Sequence, residues 1–147
     1  TTMVLLDVNV LVNAMREDAP RHDVVRAYIE SLRASPEPFG LSDVALSGAI
    51  RVLTHPRVFN PPTPPALARD FVSALRASSN AVMLAPGTRH WDIYMALLEE
   101  SHAIGNLVSD AWHAALAIEH GCEWISDDSD FARFSGLRWR RPGRDAR

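Results

Sequence analysis

Four aspartates stand where carboxylates are expensive. Asp7 closes the apolar run Met3-Val4-Leu5-Leu6, and Asp110 sits in Val108-Ser109-Asp110-Ala111 just ahead of a helical stretch. Asp128 and Asp130 lie in Trp124-Ile125-Ser126-Asp127-Asp128-Ser129-Asp130-Phe131. Acids gathered where buried elements end lose hydration and repel one another, so something positive must sit among them. All fifteen basic residues are arginine, and no lysine is present to serve as an ammonium counter-ion. A hard divalent cation with oxygen ligands resolves the repulsion and prepares a water for attack on phosphate. The pattern points to a metal.

Each acid also has a structural reading. Asp7 and Asp110 suit helix N-caps, worth about 1 kcal/mol each, and Asp128 with Asp130 suits a turn. Capping does not require all four at one end of one sheet, and their joint placement is what favours chemistry. The six histidines show neither an HExxH pattern nor a close pair and read as surface or packing residues. His113 and His120 are seven apart, too far to chelate one ion from adjacent turns. No serine nucleophile elbow and no glycine-rich phosphate loop is present. Trp91, Trp112, Trp124 and Trp139 read as core or interface aromatics.

The elements that must position these residues alternate. Met3 to Leu6 reads as a buried strand with Asp7 at its carboxyl end. Val8 to about Met15 fits either a strand extension or a short helix. Pro20 can start the next helix, with Val24, Val25, Tyr28, Ile29 and Leu32 at helical spacing. Phe39 to Leu41 is a short strand, and a helix follows from Ser42 or Asp43 with Leu46, Ile50 and Leu53 on one face. The proline-rich stretch from Thr54 to Pro65 is an ordered loop. Thr63 is expected to cap a helix carrying Leu67, Phe71 and Leu75, and Thr88 one carrying Trp91, Tyr94, Met95 and Leu98. Ala81 to Leu84 makes a third strand. Ser109 or Asp110 is expected to open a helix ending at Gly121, a natural residue just past a C-cap. Glu123 to Ser126 is a fourth strand, and Leu137 to Trp139 a possible fifth at an edge.

Strands alternating with helices imply a parallel sheet covered on both faces. In open α/β sheets, ligands bind beyond the carboxyl ends of strands at a switch in strand order. That rule lets acids more than a hundred residues apart share one crevice.

The length of 147 residues fits one domain over 1–147, with a basic C-terminal tail from about 140. Apolar content of 47% and charged content of 22% are those of an ordinary globular protein. No apolar run approaches the roughly 18 to 20 residues of a membrane span, and a lone Cys122 excludes an internal disulfide framework and fits a reducing cytoplasm. The net charge of −3 hides an uneven distribution, since Arg138, Arg140, Arg141, Arg144 and Arg147 crowd the last ten positions. That run suits either nucleic-acid phosphates or a solvated tail.

Three motifs carry a family resemblance. Leu5-Leu6-Asp7-Val8-Asn9-Val10-Leu11 resembles the opening strand of PIN-domain ribonucleases, and Ser109-Asp110-Ala111 followed by Ala114, Ala115 and Ala117 is similar to their third motif. Ile125-Ser126-Asp127-Asp128-Ser129-Asp130-Phe131 is similar to the closing T-x-D-x-D-F motif, with Ser126 at the threonine position. With Leu53-Thr54-His55-Pro56-Arg57-Val58-Phe59, the chain resembles VapC toxins of bacterial type II toxin–antitoxin pairs from Met3 to about Pro142. The resemblance implies a three-layer α/β/α domain with a central parallel sheet of four to five strands. It implies a cytoplasmic endoribonuclease using Mg²⁺ or Mn²⁺ on RNA such as tRNA or rRNA, with no membrane partner. Asp7, Asp110 and Asp128 would hold the metal, Asp130 would support them as a fourth catalytic acid, and Asn9 and Ser126 would orient carboxylates or water. A homodimer and a neutralising VapB-type antitoxin are implied as partners.

One position departs from the family. The usual glutamate of the second motif falls at Gly48 in Leu46-Ser47-Gly48-Ala49-Ile50-Arg51, and Asp43 is the nearest acid. The substitution keeps open a non-catalytic PIN-like module acting through its partners. A haloacid-dehalogenase-type phosphatase fits worse, because Asp7-Val8-Asn9 lacks the second acid of D-x-D and the chain lacks the lysine such enzymes use.

Overall fold

The structure is a computed structural model and describes residues 2–143, so Arg144 and Arg147 of the basic tail lie outside the described residues. Five short strands, β1 (Val4–Leu6), β2 (Phe39–Leu41), β3 (Ala81–Met83), β4 (Glu123–Ile125) and β5 (Trp139–Arg140), form one sheet in the order β3-β2-β1-β4-β5. Every pairing is parallel, with Leu5 opposite Gly40 on one side and Trp124 on the other. Six α-helices connect them: α1 (Val8–Met15), α2 (His22–Ala34), α3 (Asp43–Leu53), α4 (Pro65–Arg76), α5 (His90–Ser101) and α6 (Asn106–Glu119). A 3-10 turn at Ser129–Arg133 follows β4.

Side chains that alternate along a strand reach opposite faces of the sheet. Val4 and Leu6 of β1, with Ile125 of β4, pack under α1 to α4 against Val10, Leu11, Val25, Leu46 and Val72. Leu5 and Trp124 point the other way, into a layer with Ala111, Ala114 and Leu116 of α6, Leu97 of α5 and Phe131. The result is the expected three-layer α/β/α architecture. The chain steps outward from β1 through β2 to β3, then returns to lay β4 against the other side of β1. The switch between β1 and β4 opens a crevice at their carboxyl ends.

Several local expectations are corrected. The ambiguous segment is helical from Val8 onward, because Asp7 caps it and Val10, Leu11, Val12 and Ala14 are all buried. Burial overrides the strand preference of its valines. Pro20 lies in the turn before α2, which starts at His22 after Arg21 in the left-handed region (φ 60°). Thr63 is not a cap: α4 starts after Pro64, and the buried Thr63 hydroxyl accepts from Arg16 Nη1 at 3.3 Å. Thr88 does not cap α5 either. There the Glu119 carboxylate, from the far end of α6, accepts from the backbone N–H groups of Gly87 (2.8 Å) and Arg89 (3.0 Å). Helix α6 opens at Asn106, four residues before Asp110, and neither Ser109 nor Asp110 caps it. The edge strand starts two residues and ends one residue later than expected. Gly121 does follow the C-cap of α6, with φ 66°.

Candidate metal centre

Asp7 is the best-held of the four acids. It leaves β1 in extended conformation and caps α1, its Oδ1 accepting from Val8 N at 2.6 Å. Its Oδ2 accepts from Ser126 Oγ at 2.7 Å and from Asn9 Nδ2 at 3.3 Å. Ser126 Oγ in turn accepts from Asn9 Nδ2 (3.1 Å) and from Asp128 N (3.0 Å), so its one proton and both lone pairs are used. Asn9 Oδ1 accepts from Asp127 N at 3.1 Å. This web pins the loop after β4 to the end of β1.

Asp110, one turn inside α6, points into the same crevice. Asp128 caps the 3-10 turn, its Oδ1 accepting from Asp130 N at 2.9 Å. Carboxylate oxygens of Asp110, Asp128 and Asp130 lie within 4.8 Å of one another, and Asp7 lines the same cavity of about 600 Å³. The structure therefore brings all four expected acids together, with Asp130 inside the tightest trio.

The electrostatics reflect that crowding. Burial pushes the Asp7 carboxyl up to about 6, against the lowering effect of its Ser126 and Val8 hydrogen bonds, and the Asp110 and Asp128 charges add to the rise. Burial, then the charges of Asp128 and Asp130, push Asp110 up to about 6 as well. No ion pair engages any of the four among the described residues. The neighbouring Asp127 makes the contrast: it faces away and pairs with Arg21 and Arg141. An unneutralised cluster of carboxylate oxygens is the donor set that suits Mg²⁺ or Mn²⁺.

Two functional candidates were not singled out by their sequence. His113 lines the cavity three residues after Asp110, its ring stacked on Trp124 at 5.4 Å between centroids. Burial pushes its pKa down to about 4, so the imidazole is neutral at neutral pH, and its Nδ1 has no partner among the described residues. The helical spacing from Asp110 was the available signal. Among the described residues, Arg51 is the only arginine lining the crevice, which places a cation at the acidic site.

Two other expectations change. Asp43 is exposed and bonded to Arg76 Nε at 3.0 Å, away from the acids, so it does not replace the missing glutamate. Gly48 lines a cavity that adjoins the acidic one, and a Cβ there would stand 3.0 Å from Cγ2 of Val8, the residue after Asp7. The basic run is not a free phosphate patch within the described residues. Arg138 donates to Gly121 O (2.8 Å), Arg140 pairs with Glu123 (2.8 Å), and Arg141 donates to Asp127 O.

Residues 4–137 match the PIN domain family. A VapC ribonuclease of Mycobacterium bovis is 46% identical over 140 residues, covering 95% of each chain. Ribonuclease VapC25 of Mycobacterium tuberculosis is 40% identical, covering 95% of this chain and 99% of its own. The chain belongs to the VapC ribonucleases of the PIN domain family. Among solved structures, VapBC2 from Rickettsia felis bound to a promoter DNA fragment is similar with a TM-score of 0.70 at 17% identity, covering 95% of this chain and 98% of that one. FitAcB from Neisseria gonorrhoeae matches with a TM-score of 0.65 at 20% identity, covering 95% and 98%. These likenesses bear out the expected fold. In this PIN domain the acids arrive from three places: the end of β1, the second turn of α6 and the loop after β4.

Proposed function

We propose that this VapC-family chain is the toxin of a type II toxin–antitoxin pair, an endoribonuclease that hydrolyses RNA phosphodiester bonds at a Mg²⁺ or Mn²⁺ centre. The observation that carries the reading is the convergence of Asp7, Asp110, Asp128 and Asp130 in one open cavity with no ion pair to any of them among the described residues. Asp7, Asp110 and Asp128 would hold the ion, with Asp130 supporting them directly or through water. A bound divalent ion would supply Lewis-acid stabilisation of the phosphate charge and lower the pKa of a water nucleophile.

The chain's own residues do the rest. Ser126 and Asn9 fix the orientation of Asp7, so the carboxylate does not swing out when its charge is partly neutralised. Arg51, exposed at the crevice and with no side-chain bond of its own among the described residues, contacts substrate phosphate. His113, held neutral, offers a hydrogen bond to substrate or water without adding repulsion towards an arriving ion. The acidic cavity also suits a basic residue of a VapB-type antitoxin, which would neutralise the acids in place of metal. Trp91 (59% exposed) and Met95 on one face of α5, with Ile104 (83% exposed) in the following turn, suit the interface of a homodimer.

The non-catalytic alternative has no observation in its favour, since the acids converge despite Gly48. The test is incubation of the purified chain with total tRNA and rRNA, with Mn²⁺ or with EDTA. Cleavage that needs the metal and is lost in Asp7→Ala supports the reading; chelator-resistant cleavage, or none at any metal concentration, overturns it.

A further inference from the structure

A second cavity of about 510 Å³ adjoins the acidic one, and Val8, Arg51, Ser109 and His113 line both. Gly48 forms part of its wall, so the position where a glutamate is missing is where this space exists. Its far wall is aromatic. Half-buried Trp112 and Tyr94 meet edge to face at 5.1 Å between centroids, and Trp112 is braced by His90 at 4.2 Å. His90 is itself buried and bonded through Nε2 to Trp112 O at 3.0 Å, which makes the wall rigid. Val44 and Ser47 of α3, both exposed, form the rim.

We propose that this cavity is a nucleobase subsite, which takes the base of a nucleotide next to the cleaved phosphate. The inference rests on the nuclease reading above and extends it to the part of the substrate the protein grips. A nucleotide is an anion joined to a flat apolar ring, and the two adjoining cavities offer a matching pair of environments. The acidic cavity would take the phosphate through a bound metal, Arg51 at the junction faces the backbone, and the aromatic wall takes the ring. Aromatic faces bind bases with little regard to sequence, because every base has a π-face. Unstacked single-stranded segments of RNA are the form that presents such a base. A side chain longer than glycine at position 48 would crowd Val8 at 3.0 Å and fill the space, so the loss of one carboxylate is also the gain of a subsite.

The experiment uses the full chain with Mg²⁺ and two probes, 5′-mononucleotides and ribose 5-phosphate, which carries the phosphate without a base. Titration is followed by NMR on the indole N–H resonances, with that of Trp112 assigned through Trp112→Leu. Nucleotides should bind about tenfold more tightly than ribose 5-phosphate, within the range for stacking one base on an aromatic side chain. They alone should shift the Trp112 signal. Ser47→Leu, at an exposed helical rim position that does not threaten folding, should erase the preference and leave ribose 5-phosphate binding unchanged. Equal binding of both probes overturns the subsite and leaves the phosphate site standing. Binding of neither overturns the subsite together with the nuclease reading. A preference that survives Ser47→Leu puts the base elsewhere and overturns the proposal. N-acetyltryptophanamide shifting the Trp112 signal more strongly than any nucleotide does so too, by assigning the cavity to a partner's side chain.

Discussion

Asp7→Asn in metal-free protein should stabilise the fold at neutral pH, although it removes a residue proposed for the active site. The folded-state pKa of Asp7 is raised from 3.8 to about 6, so the folded chain holds this proton more tightly than the unfolded chain does. Between about pH 4 and pH 6 the native state binds more protons, and stability therefore falls as pH rises through that window. Below it the carboxyl is neutral in both states and nothing is lost; above it the cost is complete. A rise of roughly two pH units corresponds to about 3 kcal/mol. Asparagine resembles the neutral carboxyl but cannot accept the Ser126 hydroxyl with its amide nitrogen, so that figure is a ceiling and a gain of about 1 to 3 kcal/mol is expected at pH 7. For a domain of this size it amounts to several degrees in melting temperature. The assay is urea unfolding of both proteins in EDTA from pH 4 to pH 8. The decisive quantity is the difference between them, which should grow between pH 4 and pH 6 and then level off. Carboxylates outside the cluster cancel in that difference, and relief of repulsion with Asp110 and Asp128 is part of the gain. A flat difference, or one that turns against the variant as pH rises, would refute the electrostatic account of this site.

Saturating Mn²⁺ should raise the melting temperature of the wild-type chain at pH 7.5 by several degrees relative to EDTA, because it binds only the folded cluster; Asp110→Ala should remove the shift, and identical wild-type curves would count against the site. Gly48→Glu should tighten Mn²⁺ binding by calorimetry, after a shift of a few tenths of an ångström at Val8. Asp43→Ala should leave it unchanged, since that carboxylate is spent on Arg76 at the surface. Glu119→Ala should cost about 1 to 2 kcal/mol in urea unfolding by leaving two N–H groups of the turn before α5 without their acceptor.

The site was legible because its logic is topological. An acid after β1 and acids after β4 meet wherever β1 and β4 are neighbours at a switch in strand order, and that arrangement follows from alternating strands and helices. The helix ends were less legible because their partners are distant. Glu119 holds the turn before α5 from thirty residues away, and Thr63 serves Arg16 instead of its own helix. Helix α6 starts at Asn106 after Gly105 with φ 58°, with no capping side chain to mark it, while Ser109 and Asp110 imitate a cap one turn later. His113 was passed over because its chemistry comes from a buried position beside Asp110 and Trp124 and not from a motif. The arginines of the C-terminal run look free in sequence, yet the described ones serve Gly121, Glu123 and Asp127.

The central claim is that these four aspartates form one metal centre. Anomalous diffraction at the manganese edge, from crystals grown with Mn²⁺, tests it most directly. The account predicts a strong peak within coordination distance of Asp7, Asp110 and Asp128, with Asp130 beside it, and its disappearance in Asp110→Ala crystals. No peak in the crevice at saturating Mn²⁺, or a peak that persists without the Asp110 carboxylate, would contradict it.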